Sequence, residues 1–569
     1  MKYMKTIIKL IGLLLLTGLV LGLSSCEDFL NRPTEDGYTV STFYQNDEQC
    51  LQAVNPIYNS PWHDFSRAFF KIGEVQSGNY YWTGPYQDFT LTSSNEDLAN
   101  MSASLWSVNA YCNSIIENIN LYAGPQTTEA GRNMAKGEAL VWKAMAYFFM
   151  VRIWGEVPII HNNSAEIATG NYNKLFKATT ENLYDYIIMT LEQAIEWLPA
   201  RPGAPGRFDK YSAYGLLAKV YLTKSGLGQT GTRRKEDLDK AAEYALKVIN
   251  ESGRELVPVY SDIFRLQNNK ASESLIAWRW TVAPQWTASN AMQPDLCLAG
   301  FDDFGGWGGW NGPSVDLQDA FGEDALNLTQ RRNGDARRKA TMMMYGDKYE
   351  YFWADRGGFD WTAFQLGRES FDSPTGANAV KHLVGDNYDH IQGTGVGIGE
   401  MKTSLATHLL RLADVYLIYA EAVLGNNAST TDTKALAVFN AVRTRAGVST
   451  KTSITFDDIW KERRLELACE GDFWYDFVRL HYYKPDEALN ILKAQRRKTY
   501  VGLNDYYKAG NGTIIIGGDG KPTPRYNTDM ADLNITHDKF FAPFPDTDLA
   551  MNPNLREAPV EYDLSGYTY

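Results

Sequence analysis

Glu462, Glu466 and Glu470 recur every fourth residue in ERRLELACEGDFW, a spacing that lays three carboxylates along one helix face. Paired carboxylates supply the acid and base of glycoside hydrolysis, but they must flank the scissile bond from different elements. Arg463, Arg464 and Arg479 stand beside them, ready to pair with the glutamates, so the run reads as structural and no catalytic set is expected. GTGVGIGE (Gly393–Glu400) lacks the spacing of a dinucleotide loop. Lys521 in GGDGKP is followed by Pro522 and lacks the upstream glycine of a P-loop, so both stretches read as plain loops. The seven histidines are dispersed without a pair at helical metal spacing. Cys50, Cys112, Cys297 and Cys469 are far apart and form no C-x-x-C, which suits buried thiols. No metal and no cofactor is expected.

What remains is a set of large flat rings in glycine-rich loops. FGGWGGWNGP (Phe304–Pro313) devotes five glycines and a proline to holding Trp307 and Trp310, a density that no helix or strand tolerates. SGNYYWTGPYQD (Ser77–Asp88) carries Tyr81 and Trp82, and APQWTASN (Ala283–Asn290) carries Trp286. A pyranose has an apolar C–H face and a polar rim, so an indole can cover the face while Asn, Asp and Arg bond the hydroxyls. Covering about 100 Å² of apolar surface would contribute roughly 2.5 kcal/mol. The candidate glycan contacts are therefore Trp82, Trp286, Trp307, Trp310 and Tyr81 as rings, with Asn79 and Asp88 as polar partners. All four tryptophans are expected to stand exposed. Trp62, Trp353 and Trp361 are weaker candidates. The competing reading is that the rings plug loops into a scaffold, since Phe301, Phe304, Trp307 and Trp310 fall every third residue.

The elements that must hold these loops are mostly helical. Arg132–Trp154 carries Val141, Ala144, Met145, Phe148 and Val151 as an apolar stripe and stops at Gly155. Leu183–Leu198 repeats the pattern and ends at Pro199, and His408–Leu424 is apolar nearly all round, which predicts a buried helix. Leu217-Ala218-Lys219-Val220-Tyr221 and Leu412-Ala413-Asp414-Val415-Tyr416 both match the first-helix pattern of a tetratricopeptide repeat. Ala435 and Phe439 match the second-helix pattern, and Leu238–Ile249 occupies the corresponding place after the first pair. The connections are longer than a strict repeat of about 34 residues allows, so irregular pairs are expected. The fold class is mainly α, with long aromatic-rich loops and small β-hairpins. At 569 residues and net charge −13 the chain is long enough for a large core, and a nucleic-acid partner is excluded for want of a cationic face.

Lys2, Lys5 and Lys9 precede the apolar run Leu10–Leu23, which is too short to span a bilayer and has the form of a secretory signal. It closes on Leu23-Ser24-Ser25-Cys26, which resembles the bacterial lipobox. Residues 1–25 are then a signal peptide, and Cys26 is the acylated first residue, tethering the chain to a membrane.

Several stretches together resemble the SusD/RagB family of outer-membrane nutrient-binding lipoproteins. They are SSCEDFLNRPTEDGYT with STFYQNDEQCLQAVNPIYN, then GEALVWKAMAYFFMVRIWGEVPII and RFDKYSAYGLLAKVYLTKSG. LRLADVYLIYAEAVL, FNAVRTRAGV, ERRLELACEGDFWYDFVRL and FAPFPDTDLAMNPNLREAP follow in the family's order. Departures are small: Cys469 stands where an aromatic is common, and Phe544 where an aliphatic residue is usual. The resemblance implies one globular unit over residues 26–569, with an N-terminal part at 27–225 and a C-terminal part at 270–569. It implies a lipid anchor in the outer membrane facing outwards, with Glu27-Asp28 as an export signal. It further implies a glycan ligand and a partner, a SusC-like TonB-dependent transporter over which the lipoprotein closes. A peptide ligand, as in the RagB-like branch, is the alternative, and a surface glycosidase a distant third.

Overall fold

The computed structural model describes Tyr3, Met4 and residues 39–328, 334–369, 371–399, 401–530, 533 and 535–569. The apolar run Leu10–Leu23, Cys26 and Glu27-Asp28 lie outside the described residues.

Among the described residues ten helices run nine residues or more. They are α1 (Glu96–Tyr122), α2 (Glu129–Trp154), α3 (Thr180–Trp197), α4 (Lys210–Lys224), α5 (Lys235–Glu251), α6 (Leu412–Leu424), α7 (Thr433–Arg445), α8 (Phe456–Leu467), α9 (Phe473–His481) and α10 (Pro485–Ala494). From α1 to α7 each helix packs on the next, so the pairs α4/α5 and α6/α7 stack as two repeat units despite the long chain between them. Leu217, Ala218, Leu412, Ala413, Ala435 and Phe439, the pattern residues, are all fully buried. Side-chain caps start the helices: Thr128 accepts from Gly131 N at 3.0 Å, and Asp209 accepts from Tyr211 N and Ser212 N at 3.0 Å. Every residue of α2 from Gly137 to Trp154 is buried, because α1 and α3 cover it from both sides. The one-sided stripe read from its sequence therefore understates its burial.

The helix expected over His408–Leu424 begins only at Leu412. Thr407–Arg411 is a strand, antiparallel to Ser274–Trp278, with Thr407 opposite Trp278 and Arg411 opposite Ser274. A strand covered on both faces shows the same unbroken apolar run as a buried helix, so hydropathy cannot separate them. Six two-stranded antiparallel pairs occur among the described residues, and only Lys348–Tyr349/Phe359–Asp360 and Ile515–Ile516/Pro522–Thr523 are hairpins. The others staple distant segments together. One hydrophobic core runs from Tyr44 to Phe540 and takes in the buried, unpaired thiols Cys50, Cys112, Cys297 and Cys469, as the sequence led us to expect.

The carboxylates of the ERRLELACE stretch lie inside this core. α8 ends at Leu467, so Glu470 sits beyond the helix and not on its face. Glu462 pairs with Arg337 at 2.6 Å and with Arg443, while Glu466 pairs with Arg411 at 3.1 Å and with Arg445. Glu470 pairs with Arg411 at 2.7 Å and Lys381 at 2.8 Å, and Glu273 joins through Arg411 at 2.7 Å. The neighbouring arginines named from sequence are not the partners. Arg463 turns to Asp414 at 2.6 Å and Asp476 at 3.1 Å, and Arg479 turns to Glu421. Burial alone would raise the Glu470 carboxyl, yet the Arg411 guanidinium and the Lys381 ammonium hold it down at about 2.

Arg411→Ala removes the cation shared by Glu273, Glu466 and Glu470, leaving Arg445 and Lys381 to balance three buried carboxylates, and should cost about 3 kcal/mol of stability in denaturant titrations. The Glu470 carboxyl is depressed from 4.5 to about 2, so its contribution is fully present above pH 4.5 and lost as pH falls towards 2. Unfolding free energies measured across that window should fall less steeply in Glu470→Gln than in the parent protein.

Candidate functional site

The helix His63–Phe70 places His63 and Arg67 one turn apart, and Lys71 follows at the same spacing in the wide turn Lys71–Gln76. That turn carries Glu74 inward. Its carboxylate accepts from Cys469 N at 2.9 Å, Gly471 N at 2.6 Å and the Asn79 amide at 3.0 Å. The approach is close enough that a Cβ on Gly73 would stand 2.3 Å from the Gly471 backbone. Asn79 also accepts from Arg464 Nε at 2.8 Å and is fully buried. It is a fixture of the scaffold, and its expected place among ligand-facing residues is corrected on that ground.

From Asn79 the chain enters the pair Tyr80–Tyr81 with Gly312–Pro313. Tyr80 donates to Asn311 Oδ1 at 2.7 Å, and Asn311 donates to Asp295 O at 2.9 Å. The opening of FGGWGGWNGP is thus laid flat along Pro294–Leu298: Trp307 N donates to Pro294 O at 2.9 Å and Gly308 N to Cys297 O at 2.8 Å. A Cβ on Gly308 would meet Asp295 O at 2.1 Å, so glycine there serves close backbone approach. The loop fixes its indoles from behind. Trp307 Nε1 donates to Asp295 Oδ1 at 2.8 Å, and Asp295 also pairs with Arg67 at 2.7 Å. Trp310 stands edge-on to Trp82, with centroids 5.5 Å apart and planes at 89°. Trp286 meets the His63 ring at 5.8 Å, with Lys402 Nζ 5.3 Å from its own centroid.

Trp286, Trp307 and Trp310 are 41%, 41% and 39% exposed, whereas Trp82 is 9% and Tyr81 7%. The expectation that Trp82 stands open is corrected: Trp310 covers it on one side, and Lys71 lies 5.2 Å from its centroid. Tyr81 is likewise a buried support. Between Trp286 and Trp307 opens a cleft of about 350 Å³, lined by His63, Asp64, Arg67, Asp97, Asp295 and Met401 among others. Burial pushes the His63 imidazole down and the Asp295 carboxyl up, the latter opposed by Arg67. The cleft thus offers a neutral imidazole and an Arg–Asp pair beside two flat rings, which suits a ligand with one apolar face and a hydroxylated rim. Asp88 is exposed but borders a separate cavity with Lys493, Gln495 and Arg497, away from the three tryptophans. Trp62 and Trp361 are fully buried, and Trp353 donates to Phe301 O at 2.8 Å.

Sequence reading missed His63, Arg67, Asp97 and Met401 as cleft residues. The spacing of His63, Arg67 and Lys71, three basic side chains on one helix face next to Trp62, was a usable signal. Asp97 and Met401 carried none, because only the packing of distant loops brings them here.

Residues 286–562 match the model of the SusD family, and residues 39–222 match that of a family described as starch-binding, associating with the outer membrane. A SusD-like protein of Bacteroides ovatus is 33% identical, the match covering 97% of this chain and 98% of the relative. A crystal structure with xylogluco-oligosaccharide superposes with a TM-score of 0.78 at 32% identity, over 90% of this chain and 99% of the other. A laminarin-binding SusD-like protein gives a TM-score of 0.64 at 20% identity, over 90% of this chain and 98% of the other, a likeness of fold.

The difference in burial between the rings is measurable. Trp82→Ala removes a buried ring and should lower the unfolding free energy by about 3–5 kcal/mol. Trp286→Ala should change it by about 1 kcal/mol or less. Thermal and urea melts of the two variants compare them directly.

Proposed function

Because the chain belongs to the SusD family, we propose that it binds an oligosaccharide or polysaccharide at the cell surface without cleaving it and delivers it to a SusC-like TonB-dependent transporter. The observation that carries this reading is the pair Trp286 and Trp307, each about two-fifths exposed, lining one polar cleft, with the equally exposed Trp310 on the same loop as Trp307. Each ring can stack on a pyranose face, while Arg67, Asp97 and Asp64 reach hydroxyls at the rim. The relative solved with xylogluco-oligosaccharide supports a glycan over a peptide as the ligand. Trp82 and Tyr81 act from beneath as supports. The non-catalytic reading is supported by two features: Glu462, Glu466 and Glu470 are buried against arginine and lysine, and in the cleft Asp295 is engaged by Arg67 and Trp307 and Asp97 by Lys71.

The protein is held to the outer membrane through lipid on Cys26 and faces outwards. This part of the reading is supported by the sequence at Leu23–Cys26 and by the outer-membrane description of the family matched at 39–222.

Isothermal titration with candidate polysaccharides should show Trp286→Ala, Trp307→Ala and Trp310→Ala each weakening binding by about 1–3 kcal/mol, in line with the loss of a stacking platform. Reducing-end assays on the same mixtures should stay at background. Unchanged affinity in all three variants would move the site elsewhere, and enzyme-like release of reducing ends would overturn the non-catalytic reading.

Cys26→Ala should appear free of membranes, while the parent protein extracted in mild detergent should carry acyl groups by mass spectrometry and co-purify with a large β-barrel protein. Recovery of the lipoprotein alone, under conditions that keep other barrel complexes intact, would count against the transporter partner.

A further inference from the structure

The fold brings together two of the seven histidines that are dispersed in sequence. His481 ends α9, and His537 opens the short turn His537–Phe540. Their Nε2 and Nδ1 atoms lie 3.2 Å apart. The other five make different bonds, to carbonyl or hydroxyl oxygens: His63 to Ser289 O, His161 to Thr568 O, His382 to Cys469 O, His390 to Val396 O and His408 to Ser274 Oγ.

We propose that His481 and His537 form a two-imidazole site for a divalent late first-row cation such as Zn²⁺ or Cu²⁺, oriented by Asp486. Three features of the cluster point to it. Metal–nitrogen bonds of about 2.0–2.1 Å at a tetrahedral angle separate two ligand nitrogens by about 3.3–3.4 Å, close to the spacing here. The other nitrogen of His537, Nε2, lies 3.3 Å from Asp486 Oδ1. A carboxylate in that position accepts a hydrogen bond from Nε2–H, which keeps the proton on Nε2 and leaves Nδ1 as a lone pair, the arrangement found behind metal-bound histidines. The His481 ring is stacked on Phe540, with centroids 3.9 Å apart and planes at 22°, which fixes its Nε2 in place.

Without an ion, and with the His537 proton on Nε2 facing Asp486, the tautomer that satisfies the 3.2 Å contact has His481 Nε2–H donating to His537 Nδ1. With one, that proton moves to His481 Nδ1, and a small turn of the His537 ring, whose side chain is 46% exposed, aims both lone pairs at the cation. Among the described residues no group of three or more His, Cys, Asp or Glu side chains is placed to share a metal. Two protein ligands therefore leave the remaining positions to water or to a group from outside the chain.

The test uses untagged, detergent-solubilised full-length protein titrated with ZnCl₂ at pH 7.5 by calorimetry. One equivalent should bind, with at least a tenfold loss of affinity in His537→Gln and again in His481→Gln, and a smaller loss in Asp486→Asn. Because His481 is partly packed, melting curves accompany each variant, and the exposed His537→Gln carries the decision if His481→Gln melts early. With Cu²⁺, electron paramagnetic resonance should show hyperfine coupling to two nitrogens, reduced to one in His537→Gln. Failure to bind one equivalent of zinc, or unchanged zinc affinity in a normally folded His537→Gln, overturns the proposal.

Discussion

The Glu74 carboxylate lies wholly out of water and accepts from the backbone of Cys469, Gly471 and Asp472 and from the side chain of Asn79. A buried charge survives only if its lone pairs are matched, and here the match comes from the chain just past the end of α8. Burial still outweighs those donors and raises the carboxyl to about 6. The geometry costs something on the other side as well, since Cys469 is held at φ +62, in the left-handed region. This clamp joins the segment before the first aromatic loop to a helix some four hundred residues later. Asn79, fixed by Glu74 and Arg464, then passes the constraint on: its carbonyl accepts from Ser314 N at 2.9 Å, the residue that follows the Trp307/Trp310 loop.

Beneath the same junction the arginine–glutamate network performs a different task. Arg411 sits where the strand Thr407–Arg411 gives way to α6, and it meets Glu273, Glu466 and Glu470 there. Glu273 immediately precedes the paired strand, and Glu466 belongs to α8. Strand pair, repeat helix and clamp are therefore referred to one charged centre, in which Arg411 bridges three carboxylates that Arg445 and Lys381 also engage. Hydrophobic packing of similar volume could supply equal stability, so the network is weak evidence for stability as such.

How much of this was legible follows from the range of each interaction. The repeat helices could be read because Leu217, Ala218, Leu412 and Ala413 are local pattern residues whose burial follows from helical periodicity. The strand at Thr407–Arg411 could not, because complete burial erases the alternation that marks a strand. The tryptophan-bearing loop was legible as a loop from its glycines, and Trp286, Trp307 and Trp310 do stand at the surface. Trp82 and Asn79 look the same in sequence, yet pairing of Tyr80–Tyr81 with Gly312–Pro313 turns both inward. That pairing spans over two hundred residues and leaves no local trace. Asp97 and Met401 reach the cleft by the same kind of long-range packing.

Fixing the rings before any ligand arrives has an energetic consequence for a glycan receptor. Trp307 is held by two hydrogen bonds, Trp310 by the edge of Trp82, and Trp286 by His63 and Lys402. A side chain already ordered loses little entropy on binding, where a free one would lose about 0.5–1.5 kcal/mol. At roughly 2.5 kcal/mol per stacked face, three rings could supply about 7.5 kcal/mol, most of which association would consume if the rings also had to be ordered. Preorganisation is therefore what would make a shallow, three-ring face bind at all. The glycines at 306 and 308 serve that end by letting the loop lie against the Pro294–Leu298 segment, where Trp307 finds its anchors. An open loop with the same tryptophans but no such bed would present equal surface and hold a glycan far more weakly.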